Sequence, residues 1–142
     1  MAKFSAASMK ARSQLHPLLR QLVDAAIEQM DFKILDATRG RLAQEKAFKS
    51  GNSKVRFGNS AHNYVPAIAM DLFPAPFDWD DKKSFVKLQM EIIRPLAKKL
   101  NIPIRQGIDW NGDGNISDGW DMPHVELHPW REWAKKSKLF EE

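Results

Sequence analysis

The 142-residue chain contains no cysteine. This excludes a disulfide framework, a thiolate nucleophile and any cysteine-ligated zinc or iron–sulfur site, so histidine, carboxylate and hydroxyl groups must carry the chemistry. Nor is there an apolar run of about 18 residues, the length a membrane-spanning helix needs. The stretch from Met1 to Met9 lacks the apolar segment of a signal peptide. The expectation is a soluble chain without stable membrane association, which stays where it is made until another factor releases it. Acidic residues are missing from the beginning: the first is Asp24, after Lys3, Lys10, Arg12 and Arg20. Histidine is scarce, with four residues, and Tyr64 is the single tyrosine.

What is present suffices for one core. Hydrophobic residues make up 43% of the chain and aromatics 10%, which predicts a single domain over residues 1–142. The formal charge of +4 and its N-terminal clustering favour an anionic partner. Nucleic acid is a poor candidate, because no recognition motif is found and the aromatics are not interleaved with a basic strand surface. A monomer is expected.

Leu18, Leu19, Leu22, Val23, Ala26, Ile27 and Met30 recur at spacings of three and four, which predicts a helix from Pro17 to Met30. Phe32 to Leu35 is a short strand candidate, and Arg41 to Ser50 a helix stopped by Gly51. Asn52 to Ser60 reads as loop. Ala67 to Phe73, apolar apart from Asp71, suggests a buried strand closed by Pro74 and Pro76. Asp81 can cap a helix carrying Phe85 to Leu100 that Pro95 bends or interrupts. Ile102–Arg105 and His124–Leu127 read as strands around an acidic loop, and Pro129 opens a basic, Trp-containing short helix. The predicted class is α+β, with helices on a small, mainly antiparallel sheet.

Among the histidines, His62 lies just ahead of the strand containing Asp71, and His124 begins another strand. Two histidines and one carboxylate make a three-ligand zinc set, and a catalytic zinc site keeps its fourth position for water. A base is then needed nearby. Asp121, three residues before His124, and Glu126, on the same strand face as His124, are both candidates, and spacing does not choose between them. His16, before a proline at a helix start, reads as structural, and His128 stands at most behind the ligands.

Ser60-Ala61-His62, Ala69-Met70-Asp71 and His124-Val125-Glu126-Leu127 together resemble the signature of the D-alanyl-D-alanine carboxypeptidase and L-alanyl-D-glutamate endopeptidase zinc family. That family includes the D,D-dipeptidases of vancomycin resistance and many phage endolysins. The matches run in order from Leu15-His16-Pro17 through Asp36-Ala37-Thr38-Arg39, Gln44 and Ser53-Lys54 to Gly107-Ile108-Asp109-Trp110 and His124, nearly the whole chain. The resemblance implies His62, Asp71 and His124 as zinc ligands, Asp121 as catalytic base and Glu126 as a residue behind the ligands. It also implies Arg39 at the scissile carbonyl and Ser60 near substrate. One departure is that the commoner family form has a glycine between His and Asp and a tighter gap, whereas here Asn63 to Ile68 fills a longer one, within which Tyr64 is expected to line the substrate cleft.

The function so implied is phage endolysin-type cleavage of the L-alanyl-D-glutamate bond in peptidoglycan stem peptides, causing host lysis from the host cytoplasm once the wall becomes accessible. The alternatives are a D,D-carboxypeptidase or dipeptidase on D-Ala-D-Ala ends, and a non-catalytic wall-binding or calcium-binding module. Calcium enters because Asp109, Asn111, Asp113, Asn115 and Ser117 follow the first nine positions of an EF-hand loop, with Gly114 at the sixth. Trp120 stands where the bidentate glutamate belongs. Asp109, Asp113, Asp118 and Asp121 lie close in sequence with no basic residue between them, so a cation is expected to gather them.

Overall fold

A computed structural model describes residues 3–76, 78–116 and 121–141. The chain opens with α1 (Ala6–Gln14), capped by the Ser5 hydroxyl, and α2 (Pro17–Ala26), capped by His16 Nδ1, which accepts from the Leu18 N–H at 3.1 Å. Helix α2 is amphipathic as the spacing predicts and buries Leu19, Leu22, Val23 and Ala26, ending before Met30 in a turn. The sequence gives no hint of α1. Its buried residues are only Ser8 and Ala11, and Ser8 is held by a polar contact, its hydroxyl accepting from the Ile34 N–H at 3.1 Å.

Strand β1 (Phe32–Ile34) leads to α3 (Arg41–Lys49), then to a 3₁₀ turn over Ala61–Asn63 and the short β2 (Tyr64–Val65). Gly51 ends α3 at φ 82°, the left-handed conformation that glycine adopts without strain. After β3 (Ala69–Pro74) comes a long helical rod: α4 (Lys82–Val86), capped by Asp81, a π-helical stretch over Lys87–Ile93, and α5 (Arg94–Lys99). The α-helix is interrupted just before Pro95, as expected, and resumes through it. The turn before it widens, so that the Arg94 N–H reaches back to Gln89 O, and the donor that Pro95 lacks falls at the first turn of α5.

Strand β4 (Ile104–Gln106), strand β5 (His124–Leu127), α6 (Trp130–Ala134) and β6 (Lys138–Leu139) complete the chain. The four-stranded sheet has the order β1-β3-β5-β4, antiparallel throughout, and β2 pairs separately with β6. The fold is α+β.

Because side chains alternate along a strand, Met70, Leu72, Val125 and Leu127 enter the helix-covered core with Leu19, Leu22, Leu88 and Ile93. Each such large apolar side chain contributes about 1.5–3 kcal/mol by leaving water. Their neighbours Asp71, His124 and Glu126 face the other way, into a cleft.

Candidate active site

Asp71 and His124 are direct cross-strand partners on β3 and β5. Antiparallel register therefore brings their side chains together on one face. His62 arrives from the 3₁₀ turn, which Ser60 Oγ caps by accepting the His62 N–H at 3.2 Å while Asn63 Oδ1 accepts the Ser60 N–H at 3.1 Å. The three ligand atoms all lie within 4.8 Å of one another, and this is the one such His/Asp/Glu group of three among the described residues.

The donor set fits a metal ion. His62 Nε2 and His124 Nδ1 stand 3.5 and 3.4 Å from Asp71 Oδ1, close to the roughly 3.3 Å between ligands about 2.0 Å from a tetrahedral zinc. Asp71 Oδ1 is buried with no donor aligned on it, an arrangement that is costly for a carboxylate without a cation. Both rings are turned by their far nitrogens. His62 Nδ1 meets Ala37 O at 3.0 Å, and His124 Nε2 meets Glu126 Oε1 at 2.7 Å, which leaves Nε2 of one and Nδ1 of the other for the ion.

Burial opposes charge at Asp71, but the two facing imidazoles overcome it and hold the carboxyl well below the usual range. Burial likewise opposes protonation of His124, yet the carboxylates of Asp71 and Glu126 on its two sides raise it to about 10. The cluster thus favours positive charge between its carboxylates.

Asp121 lies beside this group, with Oδ2 3.9 Å from His124 Nδ1. Burial is the main cause that pushes its carboxyl above the usual range. Its place depends on Gly107, since a Cβ there would sit 2.1 Å from Asp121 O. Glu126 is not adjacent to the metal-facing nitrogen: it bonds the far side of His124 and is matched by Arg105 across β4 and β5. Geometry therefore separates the two acids that spacing left equivalent.

A cleft of about 390 Å³ opens above the cluster, lined in part by Arg39, Ser60, Asp121, Trp79, Trp110 and Trp130. Arg39 is held by Gln44 Oε1 at 3.1 Å and Asp36 Oδ2 at 3.4 Å. Gln44 is the buried residue of α3 and spends its amide nitrogen on Ser53 Oγ and Val55 O. Its oxygen also accepts from Asn63 Nδ2, so one amide ties Arg39 to the His62 turn. Gln44, Asn63 and Arg105 were not singled out from the sequence as positioning groups. A glutamine at a helix's only buried position is the signal that was available for the first.

Tyr64 does not line the cleft. Pairing of β2 with β6 turns it toward Trp130, with the hydroxyl donating to Gly58 O at 3.0 Å, and it borders a neighbouring depression instead. His128 is exposed and outside the cleft.

The loop from Asp109 has EF-hand-like turns. Asp109 Oδ2 accepts from the Gly114 N–H at 2.8 Å, and the Asn111 and Asp113 carbonyl and carboxylate oxygens accept from Asp113 and Asn115 N–H. Ser117, Asp118 and Trp120 lie outside the described residues. No basic residue lies among these acids in sequence, but Arg94, remote in sequence, reaches Asp109 Oδ2 at 2.9 Å. One acid of the loop is therefore already neutralised by the helical rod.

The family model described as phage L-alanyl-D-glutamate peptidase matches residues 1–128. The chain belongs to the phage L-alanyl-D-glutamate peptidase family. A relative from Escherichia phage T5, the L-alanyl-D-glutamate peptidase, is 27% identical over 135 residues, covering 88% of this peptidase and 97% of the relative. In fold, the peptidase is similar to the crystal structure of the Serratia marcescens L-Ala D-Glu endopeptidase ChiX, with a TM-score of 0.72 at 20% identity over 93% and 94% of the two chains.

Proposed function

We propose that this peptidase is a zinc enzyme that hydrolyses the L-alanyl-D-glutamate bond of bacterial peptidoglycan stem peptides and serves host-cell lysis in phage infection. The observation that carries the reading is the convergence of His62, Asp71 and His124 beneath a cleft that also holds Asp121 and Arg39.

Zinc held by these ligands supplies a Lewis acid and eases the deprotonation of a water. Asp121 then takes a proton from the attacking water and returns it to the leaving D-Glu nitrogen as the carbonyl–nitrogen bond breaks. A carboxyl raised by burial suits both halves of that transfer. The Arg39 guanidinium, fixed by Gln44, donates to the carbonyl oxygen on which negative charge develops. Ser60, whose hydroxyl caps the His62 turn, contacts substrate from the cleft wall.

The protein acts as a monomer and waits in the host cytoplasm until another factor opens the route to the wall. Calcium is a second cation in this reading, supported by the buried Asp109 Oδ1, on which no donor is aligned, and by the loop's Asx turns. Titrating calcium into zinc-loaded protein should raise activity and change tryptophan emission; no response in either ends that part.

The main test is digestion of purified peptidoglycan and soluble stem peptides, with and without a chelator, followed by mass spectrometry. Chelator-sensitive fragments split between L-Ala and D-Glu are expected. Loss of terminal D-Ala instead would move the assignment to a D,D-carboxypeptidase, and binding without products would leave a wall-binding module.

A further inference from the structure

Behind the three ligands runs a set of contacts that the proposed reaction does not use. Arg105 and Glu126 stand opposite one another on β4 and β5. Arg105 Nε and Nη2 both donate to Glu126 Oε2, at 3.1 and 2.8 Å, while Glu126 Oε1 lies 2.7 Å from His124 Nε2. The same guanidinium sits 5.0 Å over the Trp110 ring, and that ring packs 5.4 Å from the His124 ring. Arg105 thus touches both supports of His124, the carboxylate that orients it and the indole that packs against it.

The Glu126 side chain is only 4% exposed. A carboxylate this deep is costly unless both oxygens are matched, and truncating its partner would leave an uncompensated charge beside the metal centre. Loss of Arg105 would therefore free Glu126 to reorient, and with it the imidazole.

We propose that Arg105 is a positioning residue for the metal centre: by fixing Glu126 and Trp110, it holds the His124 ring with Nδ1 turned to the ion and so sets the affinity of the site. The proposal rests on reading His62, Asp71 and His124 as a zinc site. Loss of a hydrogen-bond partner of a metal-ligating histidine costs about 10–100-fold in affinity, and Arg105 acts one contact further out, so about 10-fold is expected.

The test is zinc affinity of the full-length protein, by competition with a chromophoric chelator, together with the visible spectrum of the cobalt(II)-substituted form. Wild type, Arg105→Met, Arg105→Lys, Glu126→Gln and the Arg105→Met/Glu126→Gln double variant would be compared. Arg105→Met should weaken zinc about 10-fold and alter the cobalt bands, Arg105→Lys should recover part of the loss, and Arg105→Met should add little once Glu126 is already glutamine. Zinc binding and a cobalt spectrum like the wild type in Arg105→Met would overturn the proposal, as would an equal loss in both backgrounds, which marks a general effect on stability. A wild type that binds neither metal would remove the zinc reading itself, a distinguishable failure. Should Arg105→Met not fold, Arg105→Gln takes its place with the same expected and overturning results.

Discussion

Substituting Gly107 by alanine should uncouple the proposed base from the ligands. The added Cβ would meet Asp121 O at 2.1 Å and Asp121 Cβ at 2.9 Å, whereas ordinary contact begins at 3.4 Å. The Asp121 segment must therefore retreat by about 1.3 Å, and a misplacement of about 1 Å at a catalytic group costs roughly 100-fold in rate. That corresponds to about 2.7 kcal/mol in the barrier. Asp121 O also accepts the His124 N–H at 3.2 Å, but His124 stays held by its register with Asp71 and by Glu126, and His62 by Ala37 O, so zinc stoichiometry should remain that of the wild type. The assay is kcat and KM on a soluble stem peptide, alongside zinc content and thermal unfolding. The loss should fall on kcat, and Gly107→Ala should cost little more in an Asp121→Ala background, because the two changes remove the same function. A folded, zinc-loaded Gly107→Ala enzyme within about threefold of wild type, or a full additive loss in the double variant, would refute the reasoning.

Asp71→Asn keeps the shape of the cluster but removes the charge between the two imidazoles; zinc affinity by chelator competition should fall by more than about 100-fold. Gln44→Leu leaves Arg39, Asn63 and the Val55 carbonyl without their shared partner, so urea unfolding should register a loss of about 1–3 kcal/mol and stem-peptide kcat should drop with it. At Asp109, burial opposes charge, but the Gly114 N–H and Arg94 prevail and hold the carboxyl below its usual range. A depressed carboxyl adds stability above its unfolded pKa of about 3.9 and loses it as pH falls through the lower folded value, so urea midpoints should decline more steeply below about pH 4 in wild type than in Asp109→Asn.

The spacing of apolar residues was enough to find α2, β3 and β5, because each buries a regular stripe or a continuous run. It missed α1, which docks through a serine and an alanine, and the β2–β6 pair, whose two strands join residues far apart in sequence. The convergence of His62, Asp71 and His124 was readable as a motif, whereas its cause, the Asp71–His124 register, was not. Tyr64 was misplaced because a residue between two ligands need not face them once its strand pairs elsewhere. Arg94 beside Asp109 and Arg105 beside Glu126 escaped for the same reason: only the folded rod and sheet bring those charges together.

The long insertion between His62 and Asp71 is braced from the far end of the chain. Strand β6 pairs with β2, and the Phe140 N–H bonds Asn63 O at 2.8 Å, one residue from a metal-facing histidine. Whatever tugs on the last few residues therefore pulls on the loop that carries His62. A fusion partner, an affinity handle or a trimming protease at that end would act as a lever on the floor of the cleft, and cargo placed ahead of α1 should disturb it less.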